Sequence, residues 1–380
     1  MAKALYIGDE NNIARKVRKM YVGVDNVARK VRKAYMGVEG VARCIFSGEQ
    51  KLSYYGKATD LSVARVYLAA TTVGNYALFG GGSNNGVKAT VDAYDTSLTR
   101  TIPTALSVTR NTPVATSVGN YALFGGGYYS SNPNATVDAY NISLTRSIPT
   151  TLSERRYQLA ATSVGNYALF GGGLTGSAVA TVDAYDTSLT RTTPTALSQK
   201  RSYLAATTVG DYALFGGGQY HDSNAELCYA STVDAYNTSL TRSIRTALSQ
   251  KRYSLAATTV GDYALFGGGR IDSSFYTKVD AYNKSLTRST PTAMSTKRYN
   301  SAATTVGDYA LFGGGQDDYN TSTSSVDAYN ASLTRTTPTA LSETKYGLAA
   351  TSVGNYALFG GGHYTNNDYY STVDVYQVTE

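Results

Sequence analysis

The chain holds few residues suited to catalysis. Its only histidines are His221 and His363, and its only cysteines are Cys44 and Cys228. A metal centre or a nucleophile–base pair needs such groups to converge. Here they are scattered through unrelated segments, and two distant cysteines make no disulfide framework. Lone loop histidines are more often solvated than catalytic. Two ionisable residues do recur in phase. One is an aspartate held within Val-Asp-(Ala/Val)-Tyr: Asp92, Asp138, Asp183, Asp234, Asp280, Asp327 and Asp374. The other is a cation three residues after a constant Ser: Arg65, Arg110, Arg156, Arg201, Arg252, Arg298 and Lys345. Around a common axis these cations would form a rim that attracts acidic glycans or carboxylates. An identical position in every copy is also what packing between neighbouring copies demands, and that reading is preferred. The aspartates read as regular strand features for the same reason. No cofactor and no metal is expected, and the chemistry on offer is binding rather than catalysis.

The elements that must carry these residues are copies of one unit. Gly-(Asn/Asp)-Tyr-Ala-Leu-Phe-Gly-Gly-Gly begins at Gly74, Gly119, Gly165, Gly210, Gly261, Gly307 and Gly354, at spacings of 45 to 51 residues. Val-Asp-(Ala/Val)-Tyr follows each copy. Ser-Leu-Thr-Arg follows six of them, with its leucine at Leu98, Leu144, Leu189, Leu240, Leu286 and Leu333. Each unit reads as four short strands. Strand a is Leu-Ala-Ala-Thr-(Thr/Ser)-Val, strand b is Tyr-Ala-Leu-Phe, strand c is Thr-Val-Asp-Ala-Tyr, and strand d starts at Leu-Thr-Arg. Aromatic and β-branched residues fill the strands while Gly, Asn, Asp and Pro punctuate them. Four strands at a period near 50 point to propeller blades. A β-solenoid or an open sandwich array is the rival, but solenoid coils have shorter periods. The Gly triplet is no phosphate loop, because no helix follows it. Asn-x-Ser recurs at Asn141, Asn237, Asn283 and Asn330, always in the same turn, which marks copying rather than glycosylation.

The Gly-Gly after strand b, the Tyr of strand c and the basic residue before strand a resemble the kelch motif across residues 51–380. The resemblance implies an all-β fold, a seven-bladed kelch-type β-propeller. The Trp usual in the kelch outer strand is replaced by Leu98 and its counterparts. Some kelch-like oxidases use a copper site of Tyr, His and a modified Cys, and some kelch-like epimerases act on sugars. No cluster matching either stands out here, so a sugar-modifying enzyme is the least favoured reading. The seventh unit stops after its strand c at Val373–Tyr376. The segment 52–60 matches the missing strand d, and pairing there would complete the last blade and hide both sheet edges.

Variation among the copies is uneven. All length changes fall between the Gly triplet and Val-Asp, where 8 to 14 residues intervene. In an up-and-down blade the b–c loops and d–a connections share one face, and the a–b and c–d turns share the other. One face is therefore diversified and the other uniform. The diversified loops carry Tyr128, Tyr129, Tyr220, His221, Tyr229, Phe275, Tyr276, Tyr319, Tyr364, Tyr369 and Tyr370. Tyr offers large contact area with a polar tip at low entropic cost. These are the candidate ligand-binding residues, with the basic positions as a candidate rim.

Residues 1–50 are a different module. Three copies of a 14–15-residue unit start at Tyr6, Tyr21 and Tyr35 and read as β-hairpins. Ten of the 34 Lys/Arg lie here against five Asp/Glu, so the net charge of +7 is mostly local. No nucleic-acid motif accompanies that charge, and exposed basic strands discourage edge aggregation. The opening Met1–Lys16 lacks a signal-peptide core, and no apolar run spans a membrane. Synthesis in the cytoplasm without membrane insertion is expected. Tandem hairpins before a Tyr/Gly-rich kelch array resemble proteins encoded in phage and prophage tail regions of Gram-positive bacteria. That resemblance implies a virion-associated adhesion protein. Its N-terminal module would dock on a phage structural protein, and its propeller would touch a host-surface glycan or protein. A structural or decoration role on the particle is the alternative.

Overall fold

A computed structural model describes residues 50–379 apart from Ser131, 318–320 and 365–367, together with the strand backbone between residues 6 and 47. The chain divides into two compact units, one of Met1–Leu52 with Val378–Glu380 and one of Ser53–Gln377. In the first, the described backbone forms three antiparallel pairs: Tyr6–Gly8 with Ala14–Lys16, Met20–Val24 with Val27–Val31, and Lys33–Val38 with Val41–Ser47. Each is a separate two-stranded sheet.

The second unit is a seven-bladed β-propeller. Each blade is a four-stranded antiparallel sheet in the order a-b-c-d. In blade 1 these strands are Ala69–Val73, Tyr76–Gly80, Val91–Tyr94 and Arg100–Thr101. The register is the same in every blade: Ala69 opposes Gly80 as Ala302 opposes Gly313 in blade 6. Blade 7 takes strands Ala349–Val353, Tyr356–Gly360 and Val373–Thr379 from the chain's end and its outer strand, Lys51–Lys57, from before blade 1. The Ala58 N–H donates to Val373 O at 3.0 Å, and the Tyr54 hydroxyl donates to Asp374 at 2.9 Å.

Strand a lies innermost, and its small residues are dictated by crowding. Each strand a neighbours those of the two adjacent blades, blade 7 meeting blade 1. Threonine hydroxyls link them: Thr72 to Thr351 at 2.8 Å, Thr207 to Thr259 at 2.9 Å and Thr258 to Thr305 at 2.8 Å. Strand b is apolar on both faces because blades cover it on both sides. Ala77, Leu78 and Phe79 are fully buried, as are their counterparts. The Gly triplet serves this stacking. A Cβ at Gly80 would sit 2.8 Å from the Phe124 ring of the next blade. Gly81 and Gly82 have φ of +71° and +102°, and a Cβ on either would sit 2.8 Å from a d–a carbonyl, that of Arg110 or Val66.

Leu98 and its counterparts lie elsewhere than the sequence suggests. They sit in the c–d turn, before strand d, with φ between +59° and +63°. In blade 1 the turn is closed by Leu98 N–H to Asp95 O at 2.9 Å. The Asp or Asn that opens each turn caps it, as Asn141 Oδ1 accepts from Ser143 and Thr145 N–H, both at 2.9 Å. The Asn-x-Ser recurrence is thus an Asx turn.

Candidate binding site at the channel mouth

The seven repeating cations do not form a rim, which corrects the anion-attracting reading. Arg65, Arg110, Arg156, Arg201, Arg252, Arg298 and Lys345 are fully buried, each paired with the strand-c aspartate of its own blade. The separations include 2.7 Å for Arg65–Asp92 and 2.8 Å for Lys345–Asp374. Arg110 shows the design. Its guanidinium reaches Asp138, Phe124 O and Thr136 O in blade 2. Its backbone N–H meanwhile donates to Lys88 O at 3.0 Å, and its carbonyl accepts from Gly82 N–H at 2.9 Å, both in blade 1. Each cation therefore staples two blades. Burial pulls the Arg201 guanidinium below its ordinary value, and Asp234 opposes the shift. A charge neutralised inside the wall attracts nothing at the mouth.

Both residues after the staple line the mouth in blades 2, 3, 5 and 6, and the second of them does so in blades 1 and 4. The first of the pair is Val66, Asn111, Tyr157, Ser202, Tyr253, Tyr299 or Tyr346. Each makes an antiparallel bridge with the residue after the Gly triplet: Ser83, Tyr128, Leu174, Gln219, Arg270, Gln316 or His363. The second residue is Tyr67, Thr112, Gln158, Tyr203, Ser254, Asn300 or Gly347, and in all seven blades its φ is left-handed, between +47° and +61°. In six of the seven blades its amide donates to the carbonyl of the same residue one blade back. Six such bonds of 2.7–3.1 Å run round the axis, from Tyr67 N–H to Gly347 O through to Gly347 N–H to Asn300 O. We call this ring of left-handed residues the girdle.

Girdle and bridging residues of blades 1 to 6 line a concavity of about 700 Å³. Its walls are tyrosine rings, carboxamides and hydroxyls. Tyr128 tilts against Tyr157 with centroids 4.7 Å apart, and Tyr203 meets Tyr253 edge-on at 5.8 Å. The Gln158 amide donates to the Tyr203 hydroxyl. The Arg270 guanidinium lies between two rings, 5.1 Å from Tyr253 and 4.5 Å from Tyr299. Burial pushes the phenols of Tyr67, Tyr157, Tyr203 and Tyr346 above the ordinary value, so all four are neutral hydroxyls in neutral solution.

Of the loop residues singled out from the sequence, Tyr128 lines the concavity itself. Others buttress it. Tyr229 stacks on Tyr253 at 5.4 Å and donates to Asp272, and burial together with that carboxylate pushes its phenol up to about 12. Phe275 leans on Tyr299 at 5.2 Å, and Tyr369 stacks on His363 at 5.6 Å. Tyr220, Tyr276 and Tyr370 are half-buried, and the Tyr276 and Tyr370 N–H groups close their loops on Gly269 O and Gly362 O. His221, Tyr129 and Tyr364 are exposed, Tyr129 bordering a separate groove with Arg155. Tyr319 lies outside the described residues. His221 and His363 belong to blades 4 and 7, and among the described residues no three His, Cys, Asp or Glu side chains form a metal-ligating group. The girdle itself escapes a reading based on loop length, because its segment never changes length. Its signal is residue variation two positions after a constant cation.

Comparisons with protein-family profiles and with curated protein sequences find no match for this chain.

Proposed function

We propose that the propeller is a non-enzymatic recognition module whose ligand enters the channel mouth and rests on the surrounding b–c loops. One observation carries this reading. The position two after the staple takes six identities in seven blades and lines the mouth in six of them, while the staple before it and strand a after it are nearly constant. A wall that served only packing would repeat its mouth residues as faithfully as it repeats the staples. The lining suits binding: stacking surfaces, neutral donors and acceptors, and a concave shape. Following the resemblance to tail-region proteins of Gram-positive phages, the ligand is a glycan or protein of the host surface and the protein is virion-associated. Residues 1–50 then dock on a phage structural protein, and their local positive charge makes that docking weaken with salt.

The test is adsorption of the fluorescently labelled protein to Gram-positive cells. Replacing Tyr220, Phe275 and Tyr364 together with Ala should reduce adsorption while the melting temperature stays close to wild type. Unchanged adsorption to cells that bind the wild-type protein would place recognition elsewhere.

A further inference from the structure

The girdle residues bear a conformational cost that the fold does not require of them. A left-handed backbone is unfavourable for residues other than Gly, and most of all for a β-branched one such as Thr112 at φ +47°. Blade 7 uses Gly347 at φ +61° in the same hydrogen-bonded ring. Glycine is thus compatible with the girdle backbone. The Gly347 position is moreover filled from next door, since a Cβ there would lie 2.5 Å from a Val66 methyl and 3.0 Å from the Tyr67 ring. The other six blades keep a side chain at this point, and those side chains are Tyr, Thr, Gln, Tyr, Ser and Asn. All six border the concavity. Every one is neutral, and every one can donate or accept a hydrogen bond or present a ring face.

We propose, building on the recognition face assigned above, that the mouth takes an uncharged saccharide and that the girdle side chains determine which one. A pyranose has an apolar C–H face and a rim of hydroxyls. Tyr203 and Tyr157 offer rings for the first, and Gln158, Ser254 and Asn300 offer polar groups for the second. The hydrogen-bonded ring fixes the backbone whatever side chain it carries, so specificity changes here without loss of the blade. Among the described residues the lining holds no carboxylate to pair with a cationic ligand, and its one guanidinium, Arg270, already lies between the Tyr253 and Tyr299 rings.

The experiment uses the full chain on an array of uncharged and acidic oligosaccharides, with thermal melting and cell adsorption measured in parallel. The variants are Thr112→Gly, Gln158→Gly, Tyr203→Gly and Tyr203→Asn; blade 6 shows Asn to suit this backbone, so the last guards against misfolding. The wild type should bind uncharged glycans. The Gln158 and Tyr203 variants should lose about tenfold in affinity or change the glycans bound. Thr112→Gly should melt at or above the wild-type temperature, because it relieves a left-handed β-branched residue. Binding unchanged in all four variants would overturn the girdle's role. Preference for acidic glycans would overturn the uncharged ligand. A blank array with cell adsorption retained would overturn the saccharide while leaving the recognition face in place.

Discussion

The c–d turn and the channel mouth make the same backbone demand with opposite consequences for sequence. Each holds one residue per blade in the left-handed region. In the turn that residue is Leu in all six chain-internal copies, from Leu98 to Leu333. At the mouth it takes six identities in seven blades. The difference lies in what the side chain touches. Leu98 and Leu286 are buried within the inter-blade clusters, so apolar burial offsets the strain and only a residue of that shape suffices. Tyr67, Thr112 and Asn300 face a concavity where packing imposes no single shape. Conformation alone therefore neither fixes nor frees a residue. Burial fixes the turn, and an open mouth leaves the girdle available to a ligand.

The largest expected effect sharpens this contrast within two residues of chain. Arg201→Ala leaves Asp234 buried without its main cation and should cost about 3–5 kcal/mol of stability in denaturant unfolding. Tyr203→Ala, at the mouth, should cost no more than about 2 kcal/mol, the loss of one edge-on aromatic contact and of the hydroxyl that accepts from Gln158. Comparable losses at the two positions would break the division between wall and mouth. Next in size is Leu98→Ala, expected to lower stability by about 2–4 kcal/mol through a cavity in its cluster, read by the same unfolding curve.

The sequence made the blades legible because spacing and pattern repeat seven times in phase. The uneven loops likewise indicated which face is diversified. Other features depended on tertiary contacts that no local pattern carries. Arg65 and its counterparts look identical whether they fringe a channel or plug a wall; only the approach of the strand-c aspartate decides. Leu98 reads as a strand residue by propensity, yet burial holds it in a left-handed turn. The girdle was hidden because an antiparallel bridge such as Tyr253 to Arg270 joins two segments 17 residues apart that look unremarkable singly.

The smallest effect concerns pH and the closing blade. Burial would raise the Asp374 carboxyl, but Lys345 beside it and the Ser342 hydrogen bonds hold it below the ordinary 3.8. A group depressed in the folded state contributes stability that is complete above its unfolded value and is lost as pH falls through its folded value. Asp374→Asn should therefore narrow the gap to wild type as the solution is acidified from pH 5 to about pH 3, measured by thermal melting. A gap that widens in acid would contradict the Lys345–Asp374 pairing.

On the proposed reading, recognition belongs to the mouth and stability to the wall behind it. Measuring cell adsorption and melting temperature together for wild type, Tyr203→Ala and Arg201→Lys tests it most directly. Tyr203→Ala should lose about tenfold in adsorption with a melting temperature within a few degrees of wild type. Arg201→Lys should melt earlier, because Lys cannot reproduce the forked contacts to Asp234, Gly217 O and Thr232 O. At temperatures where it stays folded it should adsorb like the wild type. Undiminished adsorption of Tyr203→Ala, or loss of adsorption by folded Arg201→Lys, would contradict the claim.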